Sequence, residues 1–140
     1  MKKIIFSLIM VLGLMPITNA QENNTDESGK IYFLRSTGYS ASATAFNVFI
    51  DEQYVCKIKD KEYSIHDVSP GKHICSVQFG GKKSKSKAEK FEVMVEAGKS
   101  VYINVVLRTS SVESNTFCEE ITDNTAKNML SQLSQKDECL

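Results

Sequence analysis

Across residues 31–108 apolar and polar positions alternate with the two-residue period of half-buried strands. The pattern is sharpest in two neighbouring runs. Phe91, Val93 and Val95 share one face, then Val101, Ile103, Val105 and Leu107 share one, with Ala97-Gly98-Lys99 as the turn between them. Upstream, Val48 and Ile50 have one parity, and so do Tyr54, Cys56 and Ile58, which leaves Val55, Lys57 and Lys59 facing outward. Asp51-Glu52-Gln53 between these runs is a tight-turn signal. Residues 31–35 form a further aromatic and aliphatic run, and residues 37–45, small and polar, form a loop. Residues 63–68 and 73–79 flank Ser69-Pro70-Gly71. Proline presets φ there and glycine accepts a positive φ, so this stretch predicts a β-hairpin. Short strands at regular spacing, each bounded by turn residues, predict an all-β fold. The expectation is a small antiparallel β-sandwich of about six or seven strands over residues 31–108.

The tail breaks the alternation. Residues 109–115 are polar, Thr116 and Glu119 have capping-box spacing, and Ile121, Met129, Leu130 and Leu133 recur at helical intervals. Residues 109–140 are therefore expected to be a linker and a C-terminal helix over 117–135. A helix of that length competes with a Cys118–Cys139 bond, because it carries the two cysteines apart. Either the helix is shorter, or Cys139 pairs elsewhere.

The other end of the chain changes the setting. Lys2 and Lys3 precede eleven mostly apolar residues at 4–14, Pro16 ends the run, and Ala20 offers a cleavage point. These are the parts of a secretory signal peptide. The alternative, a retained anchor, would need roughly 20 apolar residues. Cleavage leaves Gln21 onward, beginning with a polar, flexible leader over 21–30. No cysteine follows Ala20, so the expected product is exported, periplasmic or secreted, bacterial in style and not lipid-anchored. No later stretch is long enough for a transmembrane helix.

Export gives the four cysteines, at 56, 75, 118 and 139, a disulfide-permissive compartment. Three connectivities are open. Cys56 and Cys75 both point to the apolar face by parity, which makes them a candidate pair; two buried free thiols are the alternative.

Removing Lys2 and Lys3 leaves fifteen basic residues against seventeen acids, a net charge of −2. That balance does not suit a nucleic-acid-binding protein. Candidate chemistry is sparse. His66 and His73 lack the spacing of a zinc motif, so no metal or cofactor is expected. Cys75 lies on an apolar face, the wrong setting for a nucleophile, and no serine has an elbow context. The expectation is no enzyme and no catalytic residue. The sharpest surface feature is the lysine loop, Lys82, Lys83, Lys85 and Lys87, which with Lys72 and His73 forms a candidate ligand- or partner-binding set. Its plain alternative is a solvated tip whose charge keeps an edge strand from pairing with a neighbour.

The run Phe46-Asn-Val-Phe-Ile-Asp51, then Val68-Ser-Pro-Gly-Lys-His73, then Val95-Glu-Ala-Gly-Lys-Ser-Val-Tyr-Ile103 resembles PEGA-type surface domains and bacterial envelope domains with a Pro-Gly-x-His hairpin. The likeness covers residues 29–108. It implies a non-catalytic β-sandwich in the cell envelope and carries no site residue. The functional expectation is an exported interaction or structural module that meets an envelope protein through its turns at 51–53, 69–73 and 80–88. The runner-up is a carbohydrate- or polyanion-binding domain that takes an anionic glycan on the lysine loop.

Overall fold

The computed structural model describes residues 27–39, 41–79, 82–83, 91–112 and 114–140, without the side chains of Lys82 and Lys83. The expected signal peptide, most of the expected leader, Lys85 and Lys87 lie outside the described residues. Two sheets face each other. The first is built from β1 (Gly29–Arg35), β4 (Glu62–Val68), β8 (Ser100–Thr109), β9 (Ser114–Ile121) and β10 (Ser134–Gln135), in the order β10-β4-β1-β8-β9. The second is built from β2 (Phe46–Ile50), β3 (Gln53–Ile58), β5 (Gly71–Phe79), β6 (Lys82–Lys83) and β7 (Phe91–Val95). Its order is β3-β2-β5, with β6 and β7 along the far edge of β5. Among the described residues a single helix, α1 (Asp123–Leu130), follows β9.

The inward parity expected from the sequence fills the interior. Ile31 and Phe33 from β1 meet Val101, Ile103 and Val105 from β8, facing Val48, Ile58, Val77, Val93 and Val95 from the other sheet. Tyr54 is an exception: it was expected to point inward and is instead exposed. A bulge between Val48 and Phe49 shifts the register, so Tyr54 lies opposite Phe49 and meets it edge-on. The fold is all-β, but not wholly antiparallel: β1 pairs with β8 in parallel, as does β10 with β4.

The expected hairpin at Ser69-Pro70-Gly71 and the expected turn at Ala97-Gly98-Lys99 are both crossings between sheets. Ser69-Pro70 joins β4 in the first sheet to β5 in the second, and Ala97-Gly98 joins β7 in the second to β8 in the first. Turn residues specify a chain reversal, but not whether the returning strand pairs beside its predecessor or across the interior. The Asp51-Glu52 turn is a true hairpin. Both residues have positive φ, +50° and +66°, the geometry of a type I′ turn.

The sandwich does not end at Arg108. Residues read as the start of a helix form β9, antiparallel to β8 from Thr109↔Ser114 to Tyr102↔Ile121. Thr116 and Cys118 turn inward at period two, and that burial outweighs the capping-box spacing at Thr116. The helix is capped by Thr122, whose hydroxyl accepts from the Thr125 amide. It packs on β1 and β8 and buries Ala126.

The last ten residues form a strap. The Ser134 amide donates to the Lys61 carbonyl at 2.9 Å, the Lys136 amide to Tyr63 at 2.8 Å, and the Leu140 amide to Val55 at 2.9 Å. The strap thus leaves the edge of one sheet and reaches the edge of the other, where Cys139 is bonded to Cys56 with 4.7 Å between Cα atoms. The candidate Cys56–Cys75 pair is overturned. Both thiols point inward as expected, but β2 lies between their strands, with Cys56 opposite Val48 and Cys75 opposite Ile50. Two strand spacings separate their backbones by about 10 Å, beyond the roughly 7 Å a disulfide spans. Cys75 and Cys118 are buried free thiols.

Candidate functional site

The turns Asp51-Glu52 and Ser69-Pro70 come from different hairpin signals in the sequence, yet the fold puts them side by side. His73 holds them together. Its Nδ1 lies 2.7 Å from Asp51 Oδ2 and its Nε2 lies 2.7 Å from the Ser69 carbonyl. The other Asp51 oxygen accepts the Ile74 amide at 2.8 Å. A ring whose two nitrogens both face acceptors satisfies them only by donating from both, so the geometry fits the imidazolium. Burial works against that charge, but the Ser69 carbonyl and the Asp51 carboxylate outweigh it, and the pKa of His73 is raised. Burial likewise opposes the charged form of Asp51, and the Ile74 amide and His73 outweigh it, so its pKa is lowered.

Beside this clamp lies a groove of about 520 Å³ between the edges of β3 and β4, reached by Leu140 of the strap. Ile65 and Val68 form one wall, Ile50 and Val55 the other, and His66 and His73 both border it. His66 is a core residue, 6% exposed, with Nε2 at 2.9 Å from the Ser64 hydroxyl and its ring edge-on to Phe33. Burial lowers its pKa, against the pull of Asp67, and keeps it neutral. The two histidines therefore carry opposite charge preferences a few residues apart. Among the described residues no group of three or more histidine, cysteine or acidic side chains could hold a metal ion.

The free thiols have little nucleophilic character. Burial raises the pKa of both, that of Cys118 to about 12 and that of Cys75 further still. Of the expected binding set, only Lys72 and His73 have described side chains, and these two face opposite ways. Lys72 is exposed and paired with Glu92 across β5 and β7 at 2.6 Å, while His73, the next residue along the strand, turns inward to its clamp. Lys82 and Lys83 pair with Phe79 and Gln78 as β6, and Lys85 and Lys87 lie outside the described residues.

One organising residue was not singled out from the sequence. Arg35, at the end of β1, is fully buried. It donates to the carbonyls of Thr44 at 2.6 Å, Ala41 at 2.7 Å and Ile58 at 3.0 Å, and stacks 3.6 Å over the Phe46 ring. It thereby fixes the loop between β1 and β2. A charged residue at an inward parity position was the available clue.

Residues 25–117 match the model of a family described as Protein of unknown function (DUF2846). The end of β9, the helix and the disulfide-bonded strap lie beyond the matched residues. No curated protein and no solved structure matches the chain.

Proposed function

We propose that this chain, which belongs to the DUF2846 family, is a non-catalytic exported module that binds a protein partner at the clamped turn pair and the groove beside it. The observation that carries this reading is the His73 clamp. It fixes two exposed turns against each other at the mouth of a groove of mixed polar and apolar lining, which lowers the ordering cost of binding. The absence of catalysis is supported by how the reactive groups are used. Both ring nitrogens of His73 are engaged, His66 is buried and neutral, and both thiols are held protonated.

Gln53 and Ser69 are exposed and border the groove, so Gln53→Arg with Ser69→Arg obstructs it while keeping the Ser69 backbone carbonyl that His73 uses. The test is a pull-down from the native envelope at low and moderate salt, comparing the wild type with this double variant. A protein that the wild type retains at moderate salt and the variant loses supports the reading. An equal catch by both, or an empty eluate, overturns it. A catch lost at moderate salt, and lost also on changing Lys82, Lys83, Lys85 and Lys87 to serine, points instead to anionic glycan binding.

A further inference from the structure

The two open sides of the sandwich are treated differently. On the side of β3 and β4 the strap crosses from sheet to sheet and Cys56–Cys139 fastens it. On the other side β9 of the first sheet approaches β5 of the second, with Cα atoms within 8 Å of each other. That is closer than the roughly 10 Å between stacked sheets. Each of these two strands carries one inward cysteine. Cys75 is the last residue of β5 that β7 covers, opposite Phe91, and Cys118 sits opposite Val105 on β9. Both belong to the same interior cluster, 0% and 8% exposed, and the two thiols are near enough to feel each other electrostatically.

We propose that Cys75 and Cys118 are the site of a second disulfide, joining the two sheets on the side opposite the strap. An inter-sheet bond of this kind spans the interior of immunoglobulin sandwiches. It forms by thiol–disulfide exchange with a small-molecule or protein disulfide. One cysteine thiolate attacks a sulfur of that oxidant and expels a thiol. The other cysteine thiolate then attacks the mixed disulfide and expels the second thiol. Two cysteine thiols are oxidised and one oxidant disulfide is reduced, with two protons passing to the leaving thiolates. The reaction belongs to the folding chain, before β9 closes over β5, because thiols still reduced when the fold closes are sealed and protonated.

The test refolds the full chain from the reduced, denatured state in a glutathione disulfide and glutathione mixture. The product is alkylated under denaturing conditions and digested without reduction, and its peptides are identified by mass. The expected result is a linked peptide holding Cys75 and Cys118, beside the one holding Cys56 and Cys139. The same Cys75–Cys118 link is expected in a Cys56→Ser/Cys139→Ser variant, where no other pairing competes. Cys75 and Cys118 both recovered alkylated while Cys56–Cys139 is intact would overturn the proposal, as would either of them linked to Cys56 or Cys139. The wild-type digest decides the matter even if the variant does not fold.

Discussion

Replacing Arg35 by methionine keeps most of the volume and removes the charge and every donor. Three carbonyls then lose a charge-assisted bond. At roughly 1.5 kcal/mol each this is about 4.5 kcal/mol, and losing the contact over Phe46 costs about 1 kcal/mol more. Against this, the cation need no longer be stripped of water, which returns about 2 kcal/mol. The net loss is about 3.5 kcal/mol, a large part of a domain's stability. At roughly 3–4 °C per kcal/mol for a chain of this size, the midpoint falls by about 10–15 °C. Thermal and guanidinium unfolding followed by circular dichroism measures it, and amide exchange in residues 36–45 shows whether the loop loosens first. Arg35→Lys should recover part of the loss, since lysine restores the charge but cannot serve three carbonyls in one plane. A methionine variant within about 1 kcal/mol of the wild type, with unchanged exchange in the loop, would refute the assignment of Arg35 as its anchor.

Three further outcomes are expected. Cys139→Ser opens a link between residues 83 apart, and on the chain-entropy model the oxidised wild type should exceed it by about 4.5 kcal/mol in chemical unfolding. The two histidines should shape the pH profile in opposite senses. The raised pKa of His73 adds stability that is full below pH 6.5 and lost as pH rises through its folded value; the lowered pKa of His66 adds stability present above pH 6.5 and lost as pH falls. His73→Gln should therefore flatten the alkaline limb of stability against pH and His66→Gln the acid limb, and the reverse assignment would contradict the clamp. Glu52→Gly should stabilise by up to about 1 kcal/mol in equilibrium unfolding, because Glu52 holds φ at +66° without a side-chain reason to be there.

The alternation of Val101, Ile103 and Val105 was legible because each strand buries one face, whichever sheet it joins. Sheet membership was not legible. The crossings at Ser69-Pro70 and Ala97-Gly98 use the same residues as hairpins, and the choice is made by pairings between distant segments, such as β1 with β8. The run from Thr116 to Leu133 misled because Ile121, Met129 and Leu130 fit a helical stripe, while Thr116 and Cys118 answer to a neighbouring strand that local spacing does not contain. His73 was read as part of a binding set, and neither its burial nor its partner Asp51, 22 positions upstream, was legible. Inward parity also put Cys56 and Cys75 on one face correctly and still misassigned their bond, because parity carries no information about the strand between them.

The pairing of β1 with β4 and β8 sets a timetable. The first strand to be synthesised is the middle strand of its sheet, and its parallel neighbour begins 70 residues later, Lys30 lying opposite Ser100. The local hairpins, β2 with β3 and β8 with β9, can close early, since their turns are short. The sheet around β1 cannot, because its closure entropy is owed before any of its contacts form. A chain of this design cannot complete that sheet until Ser100 and the residues after it have been made. Completing a sheet so late is compatible with passage through an export channel, the demand that a leader over residues 1–20 would place on the chain.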